Sequence, residues 1–238
     1  MPAVARPWTV RRTSGAFVEL LGVVPAAVDG GVLTFVRGDL LTTLRIWKYP
    51  DDRAVFGWTV FTDDAALRER MADFGGVSVE INPPLPPGAA EPGDVPPLVR
   101  LPWPTGAGPL APDVAAGVAR HGPAALGFVR DRHDLGLLLL AATHVHRDGV
   151  SSFAPAYSEP ARLAKAILLA RHAGDVELER RAVAKLRARG EEPVGRWSGH
   201  RFRHTVADWA LKYAKATGVD LGDLVALGGE HPQYPEAP

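Results

Sequence analysis

The 238-residue chain carries 27 basic and 27 acidic side chains, so its formal net charge at pH 7 is zero. A neutral protein has no global field that attracts nucleic-acid backbones or anionic membranes, which argues against a nucleic-acid partner. The chain contains no cysteine, which excludes disulfide bonds, thiolate nucleophiles and cysteine-ligated metals. No apolar run reaches signal-peptide or membrane-span length, and Arg far outnumbers Lys. We therefore expect a soluble cytoplasmic protein from a GC-rich bacterium, without a membrane partner.

Residues 1–82 predict an α+β subdomain with a mostly antiparallel sheet. In the hairpin expected from its two strongest strands, Phe56, Trp58 and Val60 share one face, which predicts one buried side. Asp63 or Asp64 is expected to cap a helix that continues to Phe74. The β-favouring runs are Trp8–Thr13, Val32–Val36, Thr42–Tyr49, Val55–Thr62 and Val77–Ile81.

Residues 83–112 are rich in proline, which lacks an amide donor and has a fixed φ. This composition predicts an extended linker without regular structure. Such a segment can also dock in an aromatic groove of a partner protein. Trp103 is expected either to attach the linker to the fold or to contact a partner.

Residues 113–228 predict a helical subdomain, followed by a tail at 229–238. Its centre, Leu135–Ala142, predicts a helix that Asp134 caps and that is apolar on all sides, so protein must surround it. Ala161–Ala173 and the segment from Asp175 to Gly190 are expected to cover it as an antiparallel helical hairpin. Further helices are expected at Asp113–Arg120, Pro123–Arg132, His200–Thr217 and Leu221–Leu227.

A divalent metal could be bound by the run His144, His146 and Asp148. At the end of a strand, two imidazoles two residues apart can face one metal ion. The preceding run favours a helix, however, where residues two apart point in different directions. The alternative interpretation is a polar turn at a helix terminus, where His suits the negative end of the helix dipole.

A second candidate metal site consists of His200, His204 and Asp208, which lie four residues apart on one face of a predicted helix. This face is opposite the apolar stripe of the helix, so the alternative interpretation is a solvated surface. We predict no cofactor, and a divalent metal at either group of residues is kept as the alternative.

The segment from His200 to Ala207, together with Gly218–Leu221 and Tyr234, resembles the second catalytic box and the nucleophile region of tyrosine recombinases. The distance in sequence from Arg203 to Gly218 is a helical turn longer than that family's pattern. The arginine of the first box is not found, and phosphoryl transfer would then lack its main charge clamp.

Partner-binding candidates form a basic and aromatic group, and motifs for dinucleotide, phosphate-loop or serine-hydrolase chemistry do not occur. We therefore expect a non-enzymatic accessory protein, such as an immunity factor, an antitoxin or an adaptor, with another protein or a second copy as its partner. A His-dependent or metal-dependent enzyme is the alternative, and a nucleic-acid-associated protein comes third. The partner-binding candidates are Trp103, Arg196, Trp197, Arg201 and Arg203.

Overall fold

The computed structural model describes residues 9–49, 55–71, 76–84, 101–102, 109–155, 158–190 and 199–226. In these residues one antiparallel sheet is combined with helices, which confirms the predicted α+β class. The strands are β1 (Ala27–Asp29), β2 (Val32–Arg37), β3 (Leu40–Lys48), β4 (Val55–Asp64), β5 (Ser78–Asn82), β6 (Leu101–Pro102), β7 (Val145–Arg147) and β8 (Val150–Phe153). The helices are α1 (Val10–Leu21), α2 (Ala65–Arg70), α3 (Pro112–Gly127), α4 (Arg132–Leu140), α5 (Glu159–Ala173), α6 (Val176–Gly190), α7 (Gly199–Thr217) and α8 (Gly222–Ala226).

The sheet has the strand order β1-β2-β3-β4-β5-β8-β7, and β6 also pairs with β4. The predicted hairpin is formed by β3 and β4, in which Thr43 lies opposite Phe61. The prediction of one buried side for β4 is wrong, because Thr59 and Asp63 are buried as well as the apolar side chains that alternate with them. This strand lies inside the sheet, between β3 and β5, and both of its faces are covered.

The first predicted strand, Trp8–Thr13, is wrong, because helix α1 begins at Val10. The side chain of Thr9 caps this helix, and Gly22 ends it in the left-handed conformation. Phe17 is fully buried, and its ring meets the rings of Phe56 and Trp58 edge-on at centroid distances of 6.2 and 5.9 Å. The contacts of Phe17 with the sheet outweigh the β-propensity of the short run before it.

The leucine-rich segment is a buried helix, α4, as predicted, but its cap is Asp131 and not Asp134. The Asp131 carboxylate accepts a hydrogen bond of 2.8 Å from the amide of Asp134. The two helices expected at Asp113–Arg120 and Pro123–Arg132 are one helix, α3, which continues through Pro123. Helices α5 and α6 form the predicted hairpin, and Gly174 between them has a positive φ of 67°.

The polar turn expected after α4 is instead the hairpin β7–β8. Asp148 and Gly149 connect its strands with φ values of 49° and 77°, the backbone that a tight two-residue hairpin requires. Strand β8 pairs with β5, so this hairpin extends the sheet of the N-terminal residues. The division of the chain into two subdomains stays a prediction, but the sheet crosses its proposed boundary.

The helix predicted to continue to Phe74 is α2, which Asp64 caps and which ends at Arg70, so its predicted end is wrong. The linker at 83–112, predicted to have no regular structure, contains strand β6 and the first residue of α3, because β6 finds a partner in β4. The rest of the linker, apart from residues 83–84 and 109–111, and the tail at 229–238 fall outside the described residues. In the part of the chain that the structure covers, every helix is too short or too polar to traverse a bilayer.

Candidate functional site

On one face of the sheet, strands β3, β4 and β5 carry several polar side chains, while the other face packs its apolar side chains against α1. Side chains alternate along each strand, and the register places Ser78 opposite Asp63 and Glu80 opposite Phe61. Two cavities adjoin on this face beside the N-terminal half of α5, and they share Phe61 and Ser78. We call them together the polar cleft. The larger cavity, of about 230 Å³, is lined by residues that include Glu80, Phe153, Ala161, Arg162 and Lys165, and the smaller, of about 210 Å³, by residues that include Arg45, Asp63 and Arg68.

Three cations of the polar cleft have no hydrogen-bond acceptor within the described part of the chain. The guanidinium of Arg45 lies 4.9 Å from the centroid of the Phe61 ring, and Lys165 Nζ lies 5.1 Å from that of Trp209. Arg68 approaches Asp63 Oδ1 to 4.0 Å, which is too long for a hydrogen bond. All three side chains therefore keep their N–H groups available.

Partly buried arginines elsewhere in the described residues are paired with carboxylates. Arg132 Nε lies 2.5 Å from Asp64 Oδ2, and the same guanidinium also contacts Asp39 at 3.3 Å. Arg147 makes two hydrogen bonds of 2.6 and 2.8 Å to Asp134. The partly buried Arg68 differs from these arginines in having no acceptor within hydrogen-bond distance, whereas Arg45 is exposed and can be solvated by water.

The two carboxyl groups of the polar cleft hold protons more readily than free carboxyl groups. Asp63 is 3% exposed, and its burial raises the pKa from 3.8 to about 6 against the opposing charges of Arg68, Lys165 and Arg45. Its buried Oδ1 has no hydrogen-bond partner among the described residues. Burial also raises the pKa of Glu80, although the side chain of Asn82 donates a hydrogen bond of 3.2 Å to it.

Lys165 and Ser78 are two polar side chains of the polar cleft that make no hydrogen bond to a described residue. Burial lowers the pKa of Lys165 although Asp63 opposes it, so its ammonium group is incompletely solvated. The hydroxyl of Ser78 makes no hydrogen bond to a described residue, which leaves it able to donate one to a ligand. Both groups can therefore form hydrogen bonds with a ligand.

Arg162, by contrast, uses its N–H groups for hydrogen bonds within the protein. Its guanidinium is buried and donates hydrogen bonds of 3.1 and 2.6 Å to the carbonyl oxygens of Leu139 and Ala141, at the end of α4. Its Nε donates a third, of 3.1 Å, to Ser158 Oγ. Arg162 therefore forms a wall of the polar cleft and supplies the last carbonyls of α4 with a donor.

The first predicted metal site, at His144, His146 and Asp148, is not arranged so that the three side chains can bind one metal ion. The His144 ring stacks on Phe153 at 5.3 Å between centroids, and its Nδ1 accepts a hydrogen bond of 3.0 Å from the amide of Ala154. His146 is exposed on β7, and Asp148 is exposed in the turn. Among the residues with described side chains, no three His, Asp or Glu groups are placed to hold a metal ion.

The second predicted metal site is described only in part. His204 is exposed on α7, and Asp208 lies 2.8 Å from Lys212 Nζ. The side chains of His200, Arg201 and Arg203 lie outside the described part of the structure, as do Trp103, Arg196, Trp197 and Tyr234. The metal-binding, partner-binding and recombinase-like interpretations of these residues stay predictions.

The sequence does contain a signal for the polar cleft that the predictions missed. The pairs Thr43 with Arg45, Phe61 with Asp63, and Ser78 with Glu80 are each two residues apart in a strand, so each pair lies on one face. Only the register shows that these faces coincide. Lys165, on α5, carries no sequence signal that relates it to them.

No protein-family model, curated protein or solved structure matches this chain.

Proposed function

We propose that this protein is a non-enzymatic interaction protein of the bacterial cytoplasm and that it binds a partner protein at the polar cleft. The observation that supports this proposal is the group of three cations without hydrogen-bond acceptors in the described residues, of which Arg45 and Lys165 lie beside aromatic rings and Arg68 lies near Asp63. Arginine and aromatic side chains are enriched at protein interfaces and dominate their binding energy. An acidic segment of a partner would supply the acceptors that the chain itself does not.

Binding is favoured over nucleophilic catalysis because the serines of the polar cleft have no activating base. Ser152 Oγ accepts a hydrogen bond from the amide of Val145, and Ser158 Oγ contacts the carbonyl oxygen of Pro155 and Arg162. In the described residues, none of the cleft serines is hydrogen-bonded to a histidine or a carboxylate, the arrangement that activates a serine.

The proposed function is tested with a variant that fills the polar cleft. Ala161 lines the larger cavity, so Ala161→Phe should block it, whereas Ala184 is exposed on α6 and Ala184→Phe serves as the matched control. Wild type and both variants are immobilised, and the proteins that each retains from a lysate of the source organism are quantified by mass spectrometry. We expect at least one protein, or a second copy of this chain, to bind wild type and the control but not Ala161→Phe. Equal retention by all three proteins, with a monomer in solution, would refute the proposal.

A second candidate function is general acid–base catalysis in the same cleft, with Asp63 as the base. It is favoured by the buried carboxyl whose pKa is raised to about 6 by burial and whose Oδ1 has no partner among the described residues. Purified protein in D₂O with a mixture of small keto acids would reveal proton abstraction as deuterium incorporation by NMR. Deuterium incorporation that wild type catalyses and Asp63→Asn does not would support catalysis. If wild type incorporates no deuterium, binding remains the proposed function.

A further inference from the structure

We propose that the polar cleft contains an anion-binding site, formed by Lys165, Arg68, Arg45 and the hydroxyl of Ser78, and that it takes one carboxylate or phosphate group. This inference rests on the proposed function, because the anion would be the part of the partner that the polar cleft holds. The same chemistry could also come from a free small anion, and the experiment below separates the two sources.

The charge balance of the polar cleft favours an anion. Three cationic groups face it, from β3, α2 and α5, and the two carboxyl groups that face it lie on β4 and β5. The three cations outnumber the two carboxyl groups even when both carboxyl groups are ionised, and the raised pKa values of Asp63 and Glu80 reduce the negative charge further as the pH falls. The local charge is therefore positive although the whole chain is neutral.

The N–H donors that have no acceptor in the described residues also favour an anionic ligand. An ammonium group has three N–H donors and a guanidinium five, and neither can accept. Lys165 is half-buried and Arg68 is partly exposed, yet neither donates a hydrogen bond to a described residue. A partly desolvated cation without an acceptor is unfavourable, and ligand oxygens would relieve this.

The charges of all three cations oppose the rise in the pKa of Asp63, so the cations lie around that carboxyl group. The Phe61 ring, shared by both cavities, lies under the Arg45 guanidinium, and the Trp209 ring lies next to Lys165. Ser78 lines both cavities and adds a hydroxyl donor to their shared boundary. Lys165 lines the larger cavity, and Arg45 and Arg68 line the smaller, so one anion that contacts all three cations would lie where the cavities meet, at Phe61 and Ser78.

The test is a titration of ¹⁵N-labelled full-length protein at constant ionic strength with inorganic phosphate, with succinate and with a short peptide of glutamates. Acetamide is the neutral control. We expect saturable shifts of the Ser78 and Phe61 amides with a dissociation constant in the millimolar range, since a small ligand offers few atoms for binding. Lys165→Met should weaken binding about tenfold or more, and Lys165→Arg less, because one charge near the anion is removed only in the former.

Lys215, which is exposed on α7, provides the matched control Lys215→Met, for which we expect less than about a twofold change. The melting temperature of each variant shows that it is folded. Saturation by phosphate or succinate but not by the peptide identifies a free small anion as the source, and saturation by the peptide identifies an acidic segment of a partner. Shifts that do not saturate, equal effects of acetamide, or unchanged binding by Lys165→Met would overturn the inference.

Failure of this inference differs from failure of the proposed function. A partner protein that Ala161→Phe loses but Lys165→Met retains would remove the anion site alone. Saturable anion binding without any captured partner would remove the partner protein and leave the anion site in place.

Discussion

Asp63→Asn should stabilise the protein at neutral pH, because this buried carboxylate is costly to ionise. Its pKa is raised from 3.8 to about 6 by burial, so the folded protein binds the proton more tightly than the unfolded chain does. The resulting stabilisation is complete below about pH 4 and is lost as the pH rises through about 6. At about 1.4 kcal/mol per pH unit, wild type should lose about 3 kcal/mol between these limits through Asp63.

The assay is urea unfolding of wild type and Asp63→Asn at about pH 4.5 and about pH 7.5. Asparagine resembles the protonated carboxyl and does not titrate, so the variant should be more stable by about 3 kcal/mol at the higher pH and by about 1 kcal/mol at the lower pH. Asp134 and Glu159, whose pKa values are lowered, change stability with pH in the opposite direction. Their contribution cancels in the difference between wild type and variant.

The control is Asp29→Asn, since Asp29 is exposed on β1 and its replacement should leave the pH profile unchanged. A variant that is less stable than wild type at about pH 7.5 would show that Arg68 or Lys165 compensates the charge of Asp63. A difference that does not depend on pH would likewise refute the reasoning, because the folded-state pKa would then lie near that of the unfolded chain.

Three further predictions concern the fold. Arg162→Met should lower the free energy of unfolding by about 2–4 kcal/mol in chemical denaturation, because two backbone carbonyls at the end of α4 lose their donor. The control is Arg181→Met at an exposed position, which should change the free energy of unfolding by less than about 0.5 kcal/mol. Burial alone would raise the pKa of Asp134, but the hydrogen bonds from Arg147 and a backbone amide lower it, so the pair should stabilise the fold above about pH 4 and less so in more acidic solution. A double-mutant cycle of Asp134→Asn and Arg147→Met should give a coupling energy of about 1–3 kcal/mol at neutral pH, and an additive cycle would contradict the pairing. Phe17→Ala should cost about 3–5 kcal/mol by thermal or urea unfolding, because it empties a fully buried site against two aromatic rings, and a loss below about 1 kcal/mol would contradict the packing of α1.

Periodicity predicted the elements that bury side chains in a regular pattern. The β3–β4 hairpin, the buried helix α4 and the α5–α6 hairpin each follow from alternating or helical spacing of apolar residues and from caps such as Asp175. Helix α1 was missed because its first residues have β-propensity, and only the sheet beneath Phe17 favours the helix. The β7–β8 hairpin was missed although Asp148-Gly149 is a hairpin signal, because the leucine-rich helix before it suggested a helix terminus.

The candidate site was less predictable than the fold, because its residues come from five separate elements. Arg45, Asp63, Arg68 and Glu80 each resemble ordinary strand or helix residues in the sequence, and Lys165 lies in an alanine-rich helix far along the chain. Their relation depends on strand register and on the position of α5, and local spacing specifies neither.

The pairing of β5 with β8 has a consequence for the order of events during synthesis. The N-terminal strands can pair with one another as they leave the ribosome, but the partner of Glu80–Asn82 is Ser151–Phe153. About seventy residues separate these strands, and at bacterial rates of roughly 5–20 residues per second their synthesis takes roughly 4–14 s. For that interval β5 is an open edge, the kind of surface that recruits strands from other nascent chains. Glu80 would be solvated at this edge, and another strand that paired there would have to remove water from its charge, which disfavours such pairing until β8 arrives.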